Sequence, residues 1–298
     1  MEELKLVKEQ IKEFIIACDD KKSLELFDLL PEGKMLRSKL ILKIAGINDE
    51  SIKLCAVVEM IHAASLLHDD VIDEADTRRG KPSINALYDN KTSIMFGDIL
   101  YSRAFTELSQ MDKEVAYTIS NAVTLLSIGE MIDVDLTQNF NSDFDKYLDM
   151  IYKKTASLIE SSAKAAAILS GKDKVAFATY GKNLGLAFQM VDDILDITQD
   201  SATLGKPAML DFVEGKVTIP YLLLHKKLSD KSKLESLYKK SLDENDSAWI
   251  KEQMKNTGAL TESIELAQKI GLEAIEAIKD EKNEDLTNIM NAMINRNF

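Results

Sequence analysis

Three carboxylates fall within five residues at Asp69-Asp70-Val71-Ile72-Asp73, and the same spacing recurs at Asp192-Asp193-Ile194-Leu195-Asp196. Positions three and four apart share one face of a helix. Asp69, Asp70 and Asp73 therefore gather, as do Asp192, Asp193 and Asp196. Carboxylates this crowded repel one another, and hard divalent cations relieve the repulsion. Mg²⁺ keeps most of its waters and prefers to share a site with substrate phosphates, so two such faces could frame a diphosphate with ions between. The competing reading is a solvated acidic face, the usual fate of a charge run. Leu66 and Leu67 before the first cluster, and Phe188, Met190 and Val191 before the second, argue against simple exposure.

Cations recur at chain breakers. Lys34 and Arg37 lie three apart after Pro31 and Gly33, at the start of an expected helix, where free N–H groups already favour anions. Arg78 and Arg79 follow Asp73 closely and precede Gly80 and Pro82. Arginine forks bind phosphate oxygens bidentately. Lys153, Lys154 and Thr155 combine cation and hydroxyl in mid-helix, while Lys206 follows Gly205 and Lys216 follows Gly215. For any one lysine, solvation is the ordinary alternative. His62, seven residues before Asp69, is either a phosphate donor or a core histidine paired with Glu59. Gln189 shares a helix face with Asp192, to order a phosphate or to cap a polar pocket.

These side chains need a scaffold of helices. Of 298 residues, 45% are apolar, with only 12 Gly and 4 Pro, and helical periodicity dominates. Helices are expected over about 2–18, 35–46, 50–74, 92–110, 113–139, 143–170, 173–200, 216–228, 231–241, 245–255, 258–280 and 283–295. The reading is a single all-α domain over 1–298. The net charge of −13 argues against nucleic-acid binding. No run of about 20 apolar residues is apparent, so no transmembrane segment is expected. Cys18 and Cys55 form no metal-spaced motif and suit free thiols in a reducing, cytoplasmic setting. A G-x-S-x-G elbow, a Walker loop, an H-E-x-x-H and a G-x-G-x-x-G are all missing, as is EF-hand spacing. The chemistry must then run on cations rather than on a protein nucleophile.

Taken together, GKMLR, EMIHAASLLHDDVIDEADTRRGKPS, FGDILYSRAF, KKTASL, GLAFQMVDDILD and LGKPAMLDFVEGKVTIP resemble the trans-isoprenyl diphosphate synthases, or polyprenyl synthetases, from about Gly33 to Pro220. The resemblance implies the isoprenoid synthase fold, a bundle of long antiparallel helices around a deep central cavity, in a homodimer. It implies that Asp69 and Asp73 ligate two Mg²⁺ and Asp192 a third, helped through water by Asp193 and Asp196, with Asp70 completing the first motif. Arg78, Lys154 and Lys206 would grip an allylic diphosphate, farnesyl diphosphate being the expected starter, with Thr155, Gln189 and Lys216 nearby. Lys34, Arg37, His62 and Arg79 would hold isopentenyl diphosphate. The family often has Arg and Pro where this chain has Met35 and Ser38.

The implied reaction is ionisation of the allylic diphosphate, trapping of the carbocation by the isopentenyl double bond, and loss of a proton. Product length should follow the helix that carries Asp69. Val57, Ile61 and Ala64 form one stripe, and Ile61 lies about 12 Å from Asp69 along the axis. Ala64 and Ser65, five and four before the motif, are small, and the first motif has no insertion. In this family both features resemble medium- to long-product enzymes, roughly hexaprenyl to octaprenyl, as used for quinone side chains. Product release would bring a transient membrane contact. The alternatives are a geranylgeranyl or farnesyl diphosphate synthase, a terpene cyclase and a non-catalytic subunit.

Overall fold

A computed structural model of the chain describes residues 2–199 and 209–295. Helices dominate: α1 (Glu2–Ile16), α2 (Lys21–Leu29), α3 (Leu36–Ala45), α4 (Asp49–Ile72), the short α5 (Ile84–Leu87), α6 (Asn90–Leu108), α7 (Lys113–Leu136), α8 (Phe144–Ile151), α9 (Ser157–Ser170) and α10 (Lys174–Thr198). After the second Asp cluster come α11 (Leu210–Val213), α12 (Ile219–Lys227), α13 (Ser232–Leu237), α14 (Glu244–Asn256), α15 (Ala259–Ala277) and α16 (Glu284–Ile294). Among the described residues the only strands are β1 (Thr77–Arg78) and β2 (Lys81–Pro82), an antiparallel pair.

Packing divides the chain into two compact units, Met1–Val123 with Ser161–Ala178, and Thr124–Glu160 with Thr179–Phe298. In the first, α4 is the central helix, packed by α1, α3 and α6. It is apolar on nearly every side, as a helix buried all round must be. Leu54, Val58, Met60, Ile61 and Ala64 are all essentially inaccessible. Its start is fixed by a reciprocal cap, in which Asn48 accepts from the Ser51 N–H and Ser51 accepts from the Asn48 N–H. Its end is fixed by Asp73, whose N–H returns to the Asp69 carbonyl at 2.8 Å. The chain then turns through the β1–β2 hairpin. Arg79 and Gly80 form its two-residue loop, both at positive φ, the pattern of a type I′ turn.

In the second unit, α12 packs on α8, α14 and α15, and α15 packs on α16. Phe212 and Tyr221 stack at 4.3 Å in its core. Where an uninterrupted helix over 143–170 was expected, Tyr152–Ala156 is a π-helical turn between α8 and α9. Such turns often mark functional positions because they re-aim side chains. This one carries Lys153, Lys154 and Thr155. Two glycines make room for it. A Cβ on Gly129 of α7 would collide with the Lys154 backbone nitrogen, and one on Gly185 of α10 would come within 2.5 Å of the Ala156 Cα.

The structure adds α2, α5, α11 and the hairpin to the helices expected from periodicity, all too short for a periodic signal. It also corrects the reading that no membrane-length apolar segment exists. Helices α4 and α7 are both long and apolar enough by length and composition to cross a bilayer, with 61% and 44% of their apolar windows buried inside the protein. Scattered polar residues, such as Glu59, His62 and Ser65 in α4 and Thr118, Ser120, Asn121 and Thr124 in α7, break up the visible run without lowering the mean hydropathy enough.

Gly129→Ala should destabilise the fold by about 2–3 kcal/mol, because the new methyl meets backbone that cannot swing aside. Denaturant unfolding of the two proteins checks this.

Candidate active site

The first unit assembles a group of cations. Arg78 extends from β1 back to Asp70 on α4, with Nε donating to Oδ1 at 2.7 Å and a terminal nitrogen reaching the same oxygen. Arg79, at the hairpin tip, donates to the Pro31 carbonyl at 3.2 Å and lies against Gly33, where a Cβ would crowd its guanidinium at 2.9 Å. Arg37 enters from the first turn of α3. That helix begins at Met35 in the left-handed region with no side-chain cap, so its N-terminal amides are not spent on one. Burial lowers the Arg37 pKa, Glu59 opposes that, and Arg79 adds to it. The Arg37 Nε is buried and makes no hydrogen bond among the described residues.

His62 sits among these groups. Burial first, then Arg37, Arg79 and Arg78, push its pKa well below the ordinary histidine value. The ring is therefore neutral at pH 7, with one nitrogen able to donate and the other able to accept. Its expected partner Glu59 is engaged elsewhere. It accepts from the Ser38 hydroxyl at 2.7 Å and from the Ser38 N–H at 3.2 Å. The departure at Ser38 thus has a physical consequence, since a proline there has no N–H to give. Lys34 is exposed at the edge of this neighbourhood.

Of the first Asp cluster, Asp69 is half-buried and Asp73 exposed, while Asp70 is buried at 4% exposure and bound to Arg78. Burial raises the Asp70 pKa, and the Arg78 hydrogen bond and charge oppose the shift. Asp70 therefore faces a cation of the protein and positions Arg78. Val57, Ile61 and Ala64 are fully buried, and Ser65, at 6% exposure, donates to the His62 carbonyl at 2.9 Å. Gly97 of α6 lies against the Ala64 carbonyl and the His68 ring, so α6 closes on this stretch of α4.

The second unit builds a separate polar chain. Thr155 donates to Gln189 Oε1 at 3.0 Å, and Gln189 Nε2 donates to Asp193 Oδ1 at 2.9 Å. The Tyr147 hydroxyl donates to the other oxygen of Asp193 at 2.6 Å. Burial, then the Asp211 carboxylate, raise the Asp193 pKa to about 8, against those hydrogen bonds. Lys154 is held between two buried carboxylates of α7, Glu130 Oε2 at 2.8 Å and Asp133 Oδ2 at 2.7 Å. Asp133, Tyr147 and Lys216 line a small cleft. Lys216 pairs with Glu214 at 3.2 Å. Lys206 lies outside the described residues.

The second Asp cluster lies mostly inside the unit. Asp193 was expected to assist a metal ion through water, and its two oxygens accept from Tyr147 and Gln189. Asp196, expected as a ligand, is 2% exposed and enclosed in the unit's core. Half-buried Asp192 is the member of the second cluster that keeps access to solvent. Among the described residues no three His, Cys, Asp or Glu side chains converge as a ready-made cage. Mg²⁺ is usually held by one or two carboxylates and completed by phosphates and water, and half-buried Asp69 and Asp192 with exposed Asp73 are carboxylates of that kind. Sequence reasoning missed Glu130, Asp133 and Tyr147, and offered Glu59 to His62 where the structure gives it to Ser38. The i, i+3 spacing of Glu130 and Asp133 after Gly129 was visible, but nothing local showed that they meet Lys154.

The raised pKa of Asp193 has a signed consequence for stability. A carboxyl raised in the folded state gives stability that is full below the unfolded value of about 4 and is lost as the pH climbs to about 8. Asp193→Asn should flatten that loss, read as unfolding free energy at pH 5 and pH 8.

Over residues 24–256 the chain matches the family model for polyprenyl synthetase. It is 38% identical over 286 residues to a prenyl transferase of Cyanidium caldarium, covering 90% of this chain and 87% of that protein. The crystal structure of octaprenyl pyrophosphate synthase from Helicobacter pylori matches with a TM-score of 0.94 at 44% identity, over 99% of each chain. A polyprenyl synthase from Caulobacter crescentus CB15, crystallised with calcium and isoprenyl diphosphate, matches with a TM-score of 0.87 at 30% identity, over 99% of this chain and 94% of that one. The helical architecture, the paired Asp motifs and the cations around them thus have one common explanation: the chain belongs to the polyprenyl synthetase family and is a prenyltransferase of the all-α isoprenoid synthase fold.

Proposed function

We propose that residues 1–298 act as one polyprenyl synthetase domain that joins isopentenyl diphosphate head-to-tail (1′-4) to an allylic diphosphate. Repeated condensation gives an all-trans polyprenyl diphosphate of roughly hexaprenyl to octaprenyl length, suited to a quinone side chain. The observation that carries the reading is the group formed by Arg37, Arg78, Arg79 and neutral His62. It concentrates positive charge, with an unspent buried donor on Arg37, inside a chain of net charge −13. A diphosphate is the kind of polyanion such a group accepts.

Lys34, Arg37, His62 and Arg79 hold isopentenyl diphosphate in this reading. Arg78, kept in place by Asp70, grips the allylic diphosphate together with Lys154 and Lys206, and Thr155, Gln189 and Lys216 support it. Asp69, Asp73 and Asp192 are the residues that would hold Mg²⁺, three ions per site. The bound metal supplies Lewis-acid neutralisation of charge on the leaving diphosphate. The protein's arginines and lysines share that task by binding oxygens that become more negative as the allylic C–O bond breaks. Apolar walls such as Ala64 and Ile61 exclude water, which would otherwise quench the carbocation. The proton lost after condensation goes to the departing pyrophosphate, since neutral His62 is assigned to binding.

Farnesyl diphosphate is the proposed starter, and small Ala64 and Ser65 leave length for the growing chain. The octaprenyl synthase with which this chain shares 44% identity supports that range. A homodimer is supported by α7, whose exposed face carries Tyr117, Ile128, Met131 and Val134 at helical spacing, with Tyr117 72% and Met131 69% exposed. Free thiols at Cys18 and Cys55 suit the cytoplasm, with a transient membrane contact when the product leaves.

Incubation with farnesyl diphosphate, isopentenyl diphosphate and Mg²⁺ should give a product of six to eight prenyl units by chromatography, and Asp69→Ala should lose at least about a hundredfold in turnover. A product no longer than geranylgeranyl diphosphate would replace the length assignment, and full activity in Asp69→Ala would remove the metal assignment. Arg79→Ala should raise the Michaelis constant for isopentenyl diphosphate about tenfold and leave the allylic constant near its original value. The reverse order would exchange the two subsites.

A further inference from the structure

Lys154 is outnumbered. Its ammonium meets Glu130 at 2.8 Å and Asp133 at 2.7 Å, and all three side chains are at least four-fifths buried. The three groups sum to one negative charge, an odd surrounding for a lysine that binds an anion. The two carboxylates are not equivalent. Asp133 accepts a hydrogen bond from Lys154. Glu130 forms an ion pair without hydrogen-bond geometry, and its Oε1 is buried and bonded to nothing among the described residues. A buried carboxylate so poorly satisfied costs stability, so its retention calls for a use. The Lys154 backbone also lies directly against α7 at Gly129, the residue before Glu130, which brings its side chain close to both carboxylates.

We infer that Glu130 is a positioning residue that competes with diphosphate for Lys154 and thereby weakens the hold on pyrophosphate. The inference rests on the reading of Lys154 as an allylic-diphosphate ligand. A synthase that elongates must release pyrophosphate after every condensation and then seat a longer allylic diphosphate in the same place. Asp133 orients the ammonium through its hydrogen bond. Glu130 adds a charge that repels phosphate oxygens and offers Lys154 an alternative partner once the bond has broken. Binding that is uniformly tight in the ground state would slow exchange without speeding the chemical step.

The test is inhibition by inorganic pyrophosphate with Mg²⁺ present, together with the Michaelis constants for both substrates, on wild type, Glu130→Gln, Lys154→Gln and the double variant. Glu130→Gln should lower the pyrophosphate inhibition constant and the allylic Michaelis constant about tenfold, the scale of one charge a few ångström away in a partly screened site. The constant for isopentenyl diphosphate should not move, and the gain should vanish in the Lys154→Gln background. Unchanged or weaker pyrophosphate binding in a folded Glu130→Gln protein overturns the inference, as does a gain that survives without Lys154. If Lys154→Gln alone leaves both allylic constants unchanged, the assignment of Lys154 itself fails, a separate result. Glu130→Met, which removes the charge at similar volume and leaves Asp133 paired, gives the same readout should the Gln variant not fold.

Discussion

Like charge held close to like charge is the constraint on which the rest of this structure depends. Burial first, then the nearby Arg37, Arg79 and Arg78, keep His62 neutral, and Asp69, Asp70 and Asp73 share little more than one helical turn. Like charges within each group repel, and the pairing of Arg78 with Asp70 offsets part of that cost. Each becomes favourable when an ion of opposite sign arrives. On the proposed reading, that repulsion is relieved when Mg²⁺ and diphosphate bind.

The scaffold tolerates this through ordinary helix physics. Helix α4 is anchored by an apolar surface on almost every side and by a reciprocal cap at its start, so its last turn can carry carboxylates without unravelling. The type I′ hairpin then reverses the chain within two residues and sends Arg78 back onto Asp70. In the second unit, the π-helical turn re-aims Lys154 and Thr155, and glycines at 129 and 185 let neighbouring backbones approach it. These devices fix the direction of a charged side chain using backbone rather than other charges.

A division of labour among the aspartates follows. Asp70 and Asp193 sit beside the exposed members of their clusters but turn inward, one to an arginine and the other to Tyr147 and Gln189. Each motif therefore supplies both a side chain that keeps some access to solvent and one that is held inside by neighbouring groups. Lys154 shows the same economy, with Asp133 directing it and Glu130 tempering it.

The amino-acid sequence by itself determined the helical class, the approximate extent of the long helices, the two Asp motifs and most of the cations at the candidate site. Those properties depend on spacing along the chain, and spacing on a helix fixes which side chains share a face. Short elements such as α2, α5 and the hairpin left no periodic signal, and the two membrane-length apolar helices were obscured by the polar residues scattered along them. Only the tertiary structure decided which carboxylate faces outward, that Ser38 rather than His62 engages Glu59, and that Glu130, Asp133 and Tyr147 belong to the site. Those outcomes depend on which helix packs against which, and a contact between residues such as Tyr147 and Asp193 is set by burial and backbone approach, for which local sequence carries no code.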